Sequence, residues 1–113
     1  MDIFQVFKAL SEDVRFKIVM LLSKKDFCVC ELTELLSISQ PRASKHLKYL
    51  KDLGVVRTYR DQKFRFYTIN REHSVINDVI ELLMKYEDHY QPLMSKVGVV
   101  CRCMLDFSEP NDE

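Results

Sequence analysis

A chain of 113 residues, 47% of them hydrophobic, is long enough for one small domain with a single core and too short for two. Its four cysteines form two Cys-x-Cys pairs, Cys28/Cys30 and Cys101/Cys103. With no secretory signal and no apolar run long enough to span a bilayer, a cytoplasmic protein with reduced thiols and no membrane partner is expected. The formal net charge is zero but segregated: residues 39–65 hold eight Lys or Arg against Asp52 and Asp61, a net of +6, while Asp106, Glu109, Asp112 and Glu113 face no base near the end. A neutral total therefore conceals a basic patch.

In chain order, Ile3, Phe4, Val6, Phe7 and Leu10 recur at helical spacing. Ser11 is the expected N-cap of a second helix over residues 12–24, with Val14, Ile18, Leu21 and Leu22 on one side. A short third helix over residues 29–36 presents Val29, Leu32, Leu35 and Leu36, and Ser37-Ile38-Ser39 forms a turn. Ser39 caps a fourth helix running from Gln40 to Leu53, with Pro41 in its first turn, where a missing N–H costs little, and Gly54 as its stop. Residues 55–60 and 64–69 read as two strands joined by Asp61-Gln62-Lys63. A last long helix is expected from His73 to Tyr90. Its apolar residues cover more of the circumference than one small domain can bury, so Ile3, Phe7, Val79, Leu82, Leu83 and Tyr86 of the first and last helices are expected to close a homodimer.

The expected fold is thus mostly α with a small β-hairpin, a dimeric winged helix-turn-helix in the order α-α-α-α-β-β-α. Residues 1–98 would form the DNA-binding and dimerisation domain, and residues 99–113 a tail with a Cys-x-Cys and an acidic end. In such a fold the second helix of the motif enters the major groove of double-stranded DNA. Ala43, Leu47 and Leu50 face inward, which leaves Ser39, Gln40, Arg42, Ser44, Lys45, His46 and Lys48 as candidate DNA contacts, joined by Arg60, Lys63 and Arg65 of the hairpin. The plain alternative is a solvated basic face. His46 reads as a helix-packing or phosphate-contact residue, and His73 and His89 as surface residues. No serine elbow, phosphate-cradling glycine loop or Cys–His pair points to an enzyme.

Three stretches resemble the ArsR/SmtB family of metal-responsive repressors. Phe7-Lys8-Ala9-Leu10-Ser11-Glu12-Asp13-Val14-Arg15-Phe16-Lys17-Ile18 is similar to its opening ALxxxxRxxIL stretch, Ser39 to Leu47 to its SQPxxSxHL recognition helix, and Phe27-Cys28-Val29-Cys30-Glu31-Leu32 to the ELCVCDL box of its arsenic sensors. The resemblance implies a homodimeric repressor of a resistance operon that releases operator DNA on binding an inducer. Three departures stand out. The third cysteine of the best-known arsenic sensors falls on Thr33, so Cys101 or Cys103 would have to supply a third sulfur. The family's zinc site on the last helix would fall on Arg71, His73, Met84 and Glu87, of which two are not ligands. The hairpin tip lacks the usual glycine.

Soft thiolates at Cys28, Cys30, Cys101 and Cys103 favour As(III) or Sb(III) with three sulfurs, or Cd(II), Pb(II) or Zn(II) with four. Two residues apart on a regular helix point about 200° apart, so Cys28 and Cys30 can share an ion only at a non-helical end, and binding is expected to distort the start of helix three. Buried apolar cysteines, a thiol redox switch and a Cys-x-Cys oxidoreductase are the other readings.

Overall fold

The computed structural model describes residues 3–98. Four helices open the chain: α1 (Ile3–Leu10), α2 (Asp13–Lys24), α3 (Val29–Leu36) and α4 (Gln40–Leu53). A two-residue strand, β1 (Phe27–Cys28), precedes α3, and the hairpin β2 (Val56–Asp61) and β3 (Phe64–Ile69) follows α4. Then come α5 (Ser74–Met84), a 3₁₀ turn (Glu87–Tyr90) and the short α6 (Gln91–Met94). The sheet order is β1-β3-β2, antiparallel throughout.

The core is made by the residues that the 3.6 and 2 periodicities put on inner faces. Ile18, Leu21 and Leu22 of α2, Leu32 of α3, Leu47 and Leu50 of α4 and Ile76 of α5 are all fully buried, with Phe27 of β1 among them. Ser39 caps α4 by accepting the Arg42 N–H, and Gly54 ends it with φ 89°, the left-handed conformation that glycine reaches without a Cβ clash. At the hairpin tip Asp61 pairs with Phe64 across two residues, and Gln62 takes φ 59° where a glycine is usual.

Four expectations are corrected. The N-cap of α2 is Glu12, whose carboxylate accepts the Arg15 N–H at 2.9 Å, while the Ser11 hydroxyl turns back onto the Lys8 carbonyl. The last helix stops at Met84 instead of Tyr90. Pro92 lacks an N–H and would clash with the carbonyl four residues earlier, so a new helix starts around it. The segment between is tied to α2 by Lys24–Glu87 at 2.9 Å and by Phe16 against Tyr90, rings 5.3 Å apart. His73 is buried, because its Nδ1 caps α5 by accepting the Ile76 N–H at 3.2 Å. The strand β1 was not anticipated, since two residues are too few for an alternation pattern. The expected tail, residues 99–113, lies outside the described residues.

Leu47 touches no functional surface and is fully buried. Leu47→Ala is expected to lower the unfolding free energy by about 2–5 kcal/mol, the usual cost of the lost transfer energy and residual cavity, read from chemical denaturation.

Candidate nucleic-acid interface and cysteine site

Helix α4 hides Ala43, Leu47 and Leu50 and exposes Gln40, Arg42, Lys45, Lys48 and Lys51, with Ser44 half-buried. Lys48 pairs with Asp52 one turn on at 2.8 Å, which softens the charge at that end and leaves Arg42 and Lys45 as the cations nearest the helix N-terminus. The Ser39 hydroxyl is occupied as a cap.

His46 is turned onto α2: its Nδ1 lies 3.1 Å from Arg15 Nη1 and 3.8 Å from Glu12 Oε1. Burial lowers its pKa, and the opposing pull of the Glu12 carboxylate does not reverse this, so it packs as a neutral ring at pH 7. Arg15 does more than its place in the sequence motif revealed. Its Nε donates to the Ala9 carbonyl at 2.9 Å, and its guanidinium lies 4.0 Å over the Tyr49 ring, so one side chain joins α1, α2 and α4.

On the wing, Arg60 and Arg65 are cross-strand partners, one rung from the tip pair Asp61 and Phe64, and Lys63 is exposed at the tip. Two like charges directly opposite each other are unfavourable, and an anion lying against them would offset that cost. Arg57, also on β2, is engaged with Glu72 at 2.6 Å and adds little to the patch.

At the other end of the sheet, Cys28 is both the last residue of β1 and the N-cap of α3, with φ −90° and ψ 169°. Because it is extended rather than helical, its side chain escapes the divergence that two helical positions would impose, and its Sγ lies 3.1 Å from that of Cys30. The expected unwinding of α3 is therefore not needed to bring the sulfurs together. Metal–sulfur bonds of about 2.3 Å span sulfurs about 3.8 Å apart across a tetrahedral angle, a small opening from this starting point. The separation is well beyond the roughly 2.05 Å of a disulfide, so the two are not bonded to each other. Cys30 is nonetheless disulfide-bonded, against the reduced thiols expected, and must be reduced before it can ligate.

Glu31, buried beside the pair, accepts the Cys28 N–H at 3.0 Å. Burial, reinforced by the Glu31 carboxylate, pushes the Cys28 thiol up to about 12. A thiol-exchange enzyme needs the opposite, a low-pKa thiol in an electropositive cleft.

Thr33, at the position of the missing third cysteine, donates its hydroxyl to the Cys30 carbonyl at 2.7 Å. Among the described residues no group of three or more His, Cys, Asp or Glu is placed to hold a metal ion. Cys101 and Cys103 lie outside them. The zinc positions of the last helix are otherwise engaged: His73 caps α5 and Glu87 pairs with Lys24. No described helix is long and apolar enough to cross a membrane.

The family model described as bacterial regulatory protein, arsR family, matches residues 12–58, from the α2 cap through the first residues of β2. The arsenical resistance operon repressor of Staphylococcus aureus is 35% identical over 82 residues, 73% of this chain and 77% of that one. The chain belongs to the ArsR family. Its winged helix-turn-helix is accordingly the fold of that family. The cadmium resistance regulator CadC homolog of S. aureus is 40% identical over 74 residues, covering 65% of this chain and 61% of its own length, so this ArsR-family chain spans under two thirds of that relative. Among solved structures, the homodimeric winged helix-turn-helix domain Mb0332 of Mycobacterium bovis, a possible ArsR-family regulator, superposes with a TM-score of 0.63 at 25% identity over 77% of this chain and 80% of that one.

Replacing Lys63 or Arg65 by Ala is expected to weaken binding to every DNA sequence alike and to flatten the log–log salt dependence by about 0.9 per lost phosphate contact. Arg42→Ala or Lys45→Ala is expected to cost about 1–3 kcal/mol on the operator alone, if a base edge is lost. Filter binding on operator and random duplex across a salt series separates the two classes, and four variants with wild-type curves would remove this surface from the interface.

Proposed function

We propose that this chain is a homodimeric transcriptional repressor of a resistance operon, which leaves its operator when Cys28, Cys30 and a third sulfur from Cys101 or Cys103 capture arsenite or antimonite. The observation that carries this reading is the pair of sulfurs 3.1 Å apart at the non-helical entrance to α3, one helix away from the DNA reader. The related repressors named for arsenical resistance support it. Relatives named for cadmium resistance support the coarser statement, a soft-metal-responsive repressor, and keep Cd(II), Pb(II) or Zn(II) with four ligands as the competing inducers. A second reading, a thiol redox switch on the same DNA-binding module, is favoured by the disulfide at Cys30.

Ser is close to Cys in size but a poor ligand for soft ions. In reduced protein, Cys28→Ser and Cys30→Ser are therefore expected to keep operator binding and lose release by arsenite. Gel shifts on the protein's own promoter with arsenite, antimonite, cadmium, lead, zinc and peroxide side by side identify the inducer. A full arsenite response in the double variant would end the sensing role of this pair. Release by peroxide alone would favour the redox reading.

The homodimer rests on apolar surface that one copy leaves open. Ile3 is 55% exposed, Phe7 52%, Leu82 49% and Tyr86 55%, and Ile3, Phe7, Val79 and Leu82 line a shared hollow of about 210 Å³. Leu82→Glu would place an unpaired carboxylate in that interface, so sedimentation is expected to give monomers and operator binding to collapse. A wild-type chain sedimenting as monomer at the concentrations that bind DNA would contradict the dimer.

A further inference from the structure

The cysteine site has two mechanical exits, and only the one through α3 to α4 was visible in the sequence. The other runs through the sheet. Cys28 is the register partner of Phe66, and Phe66 is in turn the partner of Tyr59, so Cys28, Phe66 and Tyr59 form one rung across β1, β3 and β2. Residues directly opposite share a face of the sheet, and the Tyr59 and Phe66 rings stack with centroids 5.6 Å apart and an interplanar angle of 21°. The Tyr59 hydroxyl then reaches over β3 and donates to Asp26 Oδ2 at 2.6 Å. Asp26 is the residue just before β1, two before Cys28. The segment 26–28 is thus fastened to the wing twice, by the backbone ladder with β3 and by this hydrogen bond to β2. The next rung toward the wing tip, about 3.4 Å along the strands, is the opposed pair Arg60 and Arg65.

We propose that Tyr59 is the positioning residue through which the Cys28–Cys30 site addresses the wing: an ion that spreads the two sulfurs from their 3.1 Å separation shifts β1, and the Tyr59–Asp26 bond carries that shift to the Arg60–Arg65 rung. This rests on the ion-sensing reading given above. Tyr59 touches neither the ion nor DNA in this scheme. It sets how strongly one affects the other. The hydrogen bond to Asp26, with burial adding to it, pushes the Tyr59 phenol up to about 12. A purely structural role would show in stability and in basal DNA binding. A coupling role shows in the ratio of operator affinities with and without ion.

The test uses the reduced full-length chain, arsenite and cadmium as probes, and Tyr59→Phe, which keeps the ring on Phe66 and removes only the donor. Ion affinity and ion-free operator affinity are expected to stay within about twofold of wild type. The ion-induced loss of operator affinity is expected to shrink by about two- to tenfold, the range one hydrogen bond can supply. Asp26→Ala should reproduce this loss, Tyr59→Phe with Asp26→Ala should add nothing to it, and Asp26→Asn, which keeps an acceptor oxygen, should restore wild-type coupling. Hydrogen exchange should show ion-dependent change at β2 and β3 amides in wild type and not in Tyr59→Phe. Ion binding with undiminished coupling in Tyr59→Phe would overturn the proposal alone. Failure of wild type to bind either ion would overturn the ion-sensing reading and the proposal together.

Discussion

The functional geometry of this domain depends on one backbone constraint, the change from extended to helical conformation at Cys28. The residue closes the ladder of β1 and opens the first turn of α3. Its N–H cannot enter either hydrogen-bond pattern, and Glu31 accepts it from within the core. Burying a polar side chain for this purpose is costly unless it is hydrogen-bonded, and here the bond it makes fixes the angle between sheet and helix. Everything on either side is positioned by that angle: the wing through β3, the recognition helix through α3, and the two sulfurs through the turn itself.

The same junction accounts for the chemical character of the site. Sulfurs two residues apart at differently folded positions converge without strain on the helix, and burial keeps Cys28 protonated. Once Cys30 is reduced, such a site offers two sulfurs to an acceptor able to displace the Cys28 proton. Selectivity for soft ions then comes from the ligands themselves.

Much of the fold was legible because its signals are local. Ser39, Pro41 and Gly54 bracket α4 to the residue, and the branched and aromatic runs fix the hairpin. The apolar stripe of α5 was legible as well, but its end was not, because the segment after Met84 is held by contacts with α2 that are distant in sequence, Lys24 with Glu87 and Phe16 with Tyr90. The same holds for the site. The Cys-x-Cys pair and the basic face could be read from residue type and spacing. Strand β1 could not, since it exists only by pairing with residues 66 and 67. Nor could the roles of Arg15, Glu31 and Tyr59, each of which is defined by a partner that the fold, rather than the sequence, brings near. A glutamate three residues after Cys28 was the one available hint, as an N3 acceptor at a helix start.

Arg15 has a consequence for the form of the target. By binding the Ala9 carbonyl and His46 and lying over Tyr49, it makes α1 and α4 parts of one rigid block. In an assembly closed through α1 and α5, the distance and twist between the two readers are then set by the core of each copy and not by a pliable linker. B-DNA turns through about 34° per base pair, so half-sites moved apart by a few pairs present the wrong face of the duplex. For such an assembly the spacing of the half-sites would be a recognition element alongside their bases.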